Sequence, residues 1–122
     1  MNARTLLACA AVGLAGLAAF AQKAPPPPID TVVEVSAAQL PPEARETIAR
    51  VRKGGPFPYA KDGAIFGNVE GHLPKQKRGY YKEYTVKTPG ERTRGARRII
   101  AGSGGEFYYT DDHYNHFRRI RE

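Results

Sequence analysis

The stretch Gly79-Tyr80-Tyr81-Lys82-Glu83-Tyr84-Thr85-Val86 reads as a central β-strand, because aromatic and β-branched side chains suit a pleated, half-buried surface. Strand side chains alternate between faces, so Tyr81, Glu83 and Thr85 share one side while Tyr80, Lys82, Tyr84 and Val86 share the other. Glu83 is the one acidic residue in the stretch. Taken alone it describes an ordinary solvated strand face. Arginines after the strand and a histidine near the C-terminus give it chemical interest.

Upstream, Leu40-Pro41-Pro42-Glu43 opens a helix: proline is tolerated in the first turn and Glu43 complements the positive end of the dipole. Ala44, Ile48 and Val51 recur at helical spacing as a narrow apolar stripe. Arg45, Glu46, Arg50 and Arg52 face water, and Gly54-Gly55 ends the helix, whose expected task is to cover a sheet. Pro56 to Gly71 is rich in turn residues. Its closing run, Gly63-Ala64-Ile65-Phe66-Gly67-Asn68-Val69-Glu70-Gly71, suggests a loop with backbone N–H groups free to contact something, or a plain surface loop with Phe66 tucked into the core. Leu73 to Arg78 is a basic connector carrying Lys75, Lys77 and Arg78.

Downstream, Thr88-Pro89-Gly90 turns the chain into a segment bearing Arg92, Arg94, Arg97 and Arg98. Further strands are expected at Arg98–Ala101, Phe107–Tyr109 and His116–Arg121. The Val-rich segment from Asp30 to Ala37 suits an edge strand with Val33 and Val35 on one face. Closely spaced strands after a single helix predict an α+β domain, one N-terminal helix packed on a twisted antiparallel β-sheet.

The first 21 residues have the pattern of a signal peptide: Arg4 in a short charged head, an Ala- and Leu-rich run from Thr5 to Phe20, and the small-x-small site Ala19-Phe20-Ala21. The run is too short and small-sided for a membrane span. Residues 22–29, with Pro25-Pro26-Pro27-Pro28, form a stiff polyproline II spacer, and 30–122 is the single domain. Leu6-Leu7-Ala8-Cys9 resembles a lipoprotein box, but the apolar run before it is too brief for a signal core. Cleavage after Ala21 predicts a secreted chain, extracellular or periplasmic, which has no cysteine and must hold its fold by packing.

Nineteen Lys and Arg against twelve Asp and Glu give a net charge of +7. That balance favours a polyanionic partner, nucleic acid being the commonest, though anionic lipid or cell-wall polymers also fit. Three histidines without cysteine or clustered carboxylates make a weak case for a metal, and no cofactor is expected. His72 and His116 have no evident partners and read as surface residues.

Glu83, Arg94, Arg98 and His113 come from separate strands and turns that an antiparallel sheet would bring to a common face. A carboxylate and an imidazole on opposite sides of a phosphodiester are what in-line cleavage by a neighbouring 2′-hydroxyl requires. Guanidinium groups match phosphoryl oxygens and stabilise charge that grows in the transition state. Each residue also has a plainer reading. His113 could cap the Thr110-Asp111-Asp112 turn, and Arg94 and Arg98 could be a solvated basic face or ion-pair partners of Glu91 and Glu83. Tyr80, Tyr81, Tyr84, Tyr108 and Tyr109 suit core and rim packing better than a base-stacking platform.

Six segments stand in the order found in small secreted bacterial guanyl-specific ribonucleases. They are Leu40-Pro41-Pro42-Glu43-Ala44, Gly55-Pro56-Phe57-Pro58-Tyr59, Asp62-Gly63, Gly79 to Val86, Thr93-Arg94-Gly95-Ala96-Arg97-Arg98-Ile99-Ile100 and Tyr108-Tyr109-Thr110-Asp111-Asp112-His113-Tyr114. The chain resembles the barnase group, its short members in particular. The resemblance implies the microbial ribonuclease fold and an endoribonuclease that cleaves single-stranded RNA 3′ of guanosine. Cleavage would be metal-independent transesterification to a 2′,3′-cyclic phosphate, followed by hydrolysis to a 3′-phosphate. It implies Glu83 as general base and His113 as general acid, with Arg94 and Arg98 holding the phosphate. It implies guanine recognition by Glu70, by backbone N–H groups around Gly67, Asn68 and Val69, and by Phe66 and Tyr114 sandwiching the ring.

Val69 stands where the group usually has an arginine, and Gly67 where it has a larger polar residue, so weaker base binding is expected. The resemblance also suggests a small acidic inhibitor of the barstar type as a partner of a monomeric enzyme. The competing reading from another class is a non-catalytic basic exported module that binds nucleic acid. It accounts for the charge but gives no reason for Glu83, since a carboxylate repels phosphate.

Overall fold

A computed structural model describes residues 32–122, so the signal peptide and the proline-rich spacer expected at 1–29 lie outside the described residues. The elements run β1 (Val33–Ser36), α1 (Pro42–Lys53), β2 (Ala64–Ile65), β3 (Tyr81–Thr85), β4 (Arg98–Gly102), β5 (Phe107–Thr110) and β6 (Arg118–Arg121), with a short 3-10 turn at Ala37–Gln39. They form one six-stranded sheet in the order β1-β6-β5-β4-β3-β2.

Helix α1 starts after Pro41, with Pro42 and Glu43 in its first turn, and ends at Gly54, which takes the left-handed conformation with φ 87°. At that φ a side chain would clash with its own backbone, so glycine is the natural stop. Ala44 and Ile48 are buried, as the apolar spacing predicts, with Thr47 buried between them. Thr47 donates its hydroxyl to the Glu43 carbonyl and to the Thr85 carbonyl of β3, which ties helix to sheet.

The sheet has a core on each face. Leu40, Ala44, Ile48, Val86, Ile99, Phe107, Tyr109 and Ile120 pack beneath the helix, while Leu73, Tyr81, Ile100, Tyr108 and Phe117 pack on the opposite side. Tyr84 lies against the helix-side core and Tyr81 belongs to the other, the alternation expected of β3. Glu83 therefore opens away from the helix.

Two features depart from the sequence expectation. Strand β1 pairs with β6 in parallel, Val35 opposite Ile120, so the sheet is antiparallel only from β6 to β2. Val35 packs against the helix-side core, but Val33 at the strand's outer end is 69% exposed. The stretch expected to be loop also contains β2, whose Ala64 and Ile65 pair with Glu83 and Lys82. That pairing seats the 66–71 loop beside the centre of β3.

Candidate active site

The register of β3, β4 and β5 builds the site. Thr85 lies opposite Arg98 and Arg98 opposite Thr110, while Glu83 lies opposite Ile100 and Ile100 opposite Tyr108. Arg98 and Ile100 are two residues apart and share a face, so the guanidinium of Arg98 sits diagonally beside Glu83. Arg94 comes from the segment between these strands. Its Nε donates to Thr85 Oγ1 at 3.0 Å and its Nη2 to Glu83 Oε1 at 2.7 Å.

Arg98 is nearly enclosed, its side chain 3% exposed, and its Nη1 donates to the carbonyls of Gly95 and Arg97. Its Nε lies 3.1 Å from the Tyr114 hydroxyl and 3.7 Å from Glu83 Oε1. The Tyr114 hydroxyl in turn donates to Glu83 Oε1 at 2.8 Å. One carboxylate oxygen thus collects two hydrogen bonds and a second cation. Glu83 Oε2 has no hydrogen-bond partner among the described residues, and every buried polar side-chain atom there has one, so Oε2 is open to solvent.

Burial is the main cause that raises the Tyr114 phenol above its usual range, followed by its hydrogen bond to and the charge of Glu83, with Arg98 opposing. The phenol therefore stays protonated at neutral pH and serves as a donor. The sequence pointed to Tyr114 only through the resemblance and only as a stacking ring; its hydroxyl in the acid cluster is new.

His113 and Tyr114 both adopt left-handed backbone conformations, with φ of 57° and 74°. Such φ values cost energy for residues with a Cβ and persist where neighbouring bonds over-determine them. Here the His113 N–H donates to the Ala96 carbonyl and the Tyr114 N–H to Thr110 Oγ1. Asp112 Oδ1 accepts from Thr110 Oγ1 and from the His116 N–H, and Oδ2 lies 2.6 Å from His116 Nδ1. The His116 side-chain bond is the largest cause that lowers the Asp112 carboxyl to about 2. So His116, expected to stand alone, braces the loop. The His113 side chain remains exposed, its ring 4.8 Å from that of Tyr114.

Beside the acid cluster lies a cleft of about 480 Å³ lined by Phe66, Gly67, Asn68, Val69, Glu70, His72, His113, Tyr114 and Asn115. All six residues expected to read the base line it together with the expected general acid. Asn68 shapes its floor: φ is 52°, the side-chain amide donates to the Leu73 carbonyl, and the Leu73 N–H donates back to Oδ1. The N–H groups of Gly67, Asn68, Val69 and Glu70 have no hydrogen-bond partner among the described residues. They are available to an acceptor.

Phe66 and Tyr114 stack on one another at 5.1 Å and 23°. A base between them needs about 7 Å at ordinary contact distances, so as they stand the rings form one wall of the cleft rather than two jaws. Val69 is 94% exposed and brings no charge to the loop. Glu70 is exposed, and its one ion-pair contact among the described residues is with His72, Nε2 to Oε1 at 3.5 Å. No group of three or more His, Cys, Asp or Glu among the described residues is placed to hold a metal ion.

Residues 24–121 match the ribonuclease family. The chain is 56% identical over 85 residues to guanyl-specific ribonuclease St of Saccharopolyspora erythraea, covering 70% of this chain and 84% of that protein. It is 57% identical over 82 residues to guanyl-specific ribonuclease Sa of Kitasatospora aureofaciens, covering 66% and 85%. The fold is similar to a crystal structure of ribonuclease Sa2 with guanosine-2′-cyclophosphate, with a TM-score of 0.71 and 46% identity over 74% of this chain and 96% of that one.

Proposed function

This chain belongs to the guanyl-specific microbial ribonuclease family, and from that premise we propose how its own residues divide the work. It is an endoribonuclease that cuts RNA on the 3′ side of guanosine through a 2′,3′-cyclic phosphate. Glu83 Oε2 takes the proton of the 2′-hydroxyl as that oxygen attacks phosphorus, and His113 gives a proton to the departing 5′-oxygen. In the second step His113 takes a proton from water and Glu83 returns one to the 2′-oxygen. Arg98 and Arg94 stabilise the charge that accumulates on the non-bridging oxygens.

The observation that carries these roles is the asymmetry of Glu83: Oε1 is held by Arg94 and Tyr114, and Oε2 is left open. A carboxylate fixed in orientation with one free oxygen is suited to accept a proton. A module that only bound phosphate would be weakened by it.

Guanine is read by the Glu70 carboxylate, which accepts from N1–H and the exocyclic amine, and by the unpartnered N–H groups at 67–69, which donate to O6. Bases lacking those donors leave the carboxylate unpaired and are rejected. Stacking falls to the Phe66–Tyr114 wall. The enzyme acts as a monomer outside the cytoplasm after residues 1–21 are removed, a reading supported by the charged head, apolar run and small-residue site. The chain's net charge of +7 suits a small acidic inhibitor of the barstar type.

The test is an oligoribonucleotide with one G, digested by the purified protein in the presence of EDTA. A 2′,3′-cyclic phosphate on that G is expected. Cleavage elsewhere, or 5′-phosphate ends, would overturn the reading.

A further inference from the structure

His72 lines the recognition cleft and is used by none of the steps above. Its Nε2 lies 3.5 Å from Glu70 Oε1, and its ring leans on Phe117 with centroids 6.3 Å apart. Phe117 is buried, so the imidazole has a fixed support that Glu70 lacks. The Glu70 side chain is 71% exposed and has no other polar partner among the described residues. A glutamate in that state samples many rotamers, and ordering it on binding carries an entropic cost.

We propose that His72 is a positioning residue for guanine specificity, which holds the Glu70 carboxylate in the cleft. The proposal rests on the guanine-reading role given to Glu70. His72 approaches Oε1 alone, and a carboxylate offers about four lone-pair sites, so Oε2 and the remaining lone pairs stay available to the base. His113 and Glu83 act on the phosphodiester whatever the base, so their contributions cancel when two bases are compared.

The experiment measures kcat/KM for GpC and ApC with the native protein, His72→Val and His72→Lys at one pH and compares the G-to-A ratios. His72→Val should lower the ratio about threefold, the worth of a half-exposed pair. His72→Lys, which keeps a donor beside Glu70, should hold the ratio near the native value. His72→Ala replaces the valine variant if that one does not fold, as a thermal melt would show. A ratio equal to native in His72→Val or His72→Ala, or one that falls equally in His72→Lys, overturns the proposal. Absence of guanine preference in the native protein would instead overturn the function on which it rests.

Discussion

Replacing Glu83 by glutamine separates catalysis from phosphate binding. The amide oxygen can keep the acceptor position that Oε1 holds between Arg94 Nη2 at 2.7 Å and the Tyr114 hydroxyl at 2.8 Å. The open Oε2 becomes an NH₂, which cannot take a proton. Loss of a general base costs about 10²- to 10⁴-fold in kcat, equivalent to about 2.7–5.4 kcal/mol of barrier. The same change removes a negative charge from beside the phosphate. Two unit charges about 4 Å apart interact by about 1 kcal/mol in water and about 4 kcal/mol at an effective dielectric of 20. The Glu83 side chain is 14% exposed, which places the site between these limits. An intermediate value of about 2 kcal/mol predicts roughly 30-fold tighter binding of inorganic phosphate. Turnover of GpC and competitive inhibition by phosphate measure the two effects on one sample, with a thermal melt as the check on folding. Turnover within tenfold of native, or phosphate binding no tighter than native, would refute the assignment.

Two further outcomes follow from the loop after β5. His113→Asn, which accepts the left-handed backbone at φ 57°, should lower kcat about 10²-fold or more while the exposed position leaves the melting temperature nearly unchanged; near-native turnover would assign the acid elsewhere. Asp112→Asn tests the brace. The native carboxyl lies at about 2 against an ordinary 3.8, so its contribution is fully present above about pH 4 and is lost as pH falls through about 2. With a side chain 36% exposed that contribution is screened to about 1 kcal/mol. The variant should therefore melt below native near pH 6 and together with it near pH 1, as differential scanning calorimetry would read; an equal gap at both pH values would rule out the ionised carboxylate as the cause.

Helix α1 could be read from sequence because its signals are local: Pro42 and Glu43 at one end, Gly54 at the other, and an apolar stripe between them. Strands β3, β4 and β5 were legible for the same reason, and their alternation placed Glu83 and Arg98 together. Strand β1 was visible as a strand, but its parallel pairing was not, because no local pattern encodes which distant strand it will join. Strand β2 has two residues among glycines, and its existence depends on the register of β3. The Tyr114 hydroxyl reaches Glu83 from a loop in which residues 113 and 114 both take positive φ, at positions where no glycine or asparagine announces it. His72 and His116 have partners two and four residues away, yet loop geometry alone brings them into contact. The run Thr110-Asp111-Asp112 carried a usable signal for the second case, since short polar side chains in a turn tend to bond the backbone just after them.

The two guanidiniums of the site are not equivalent, and the difference follows from where the chain puts them. Arg98 is held within β4 with a side chain 3% exposed and two carbonyls fixed on Nη1, so it cannot swing when charge develops. A cation that needs no reorganisation stabilises a transition state more than one that must move into place. Arg94 lies outside the strands, is 27% exposed, and spends Nε and Nη2 on Thr85 and Glu83. It can exchange the carboxylate for phosphate, and doing so would loosen Glu83 Oε1 at the moment Oε2 must gain a proton. On the proposed roles, Arg98 would supply the fixed field and Arg94 the variable one, and arrival of the phosphate would release the base that acts on it.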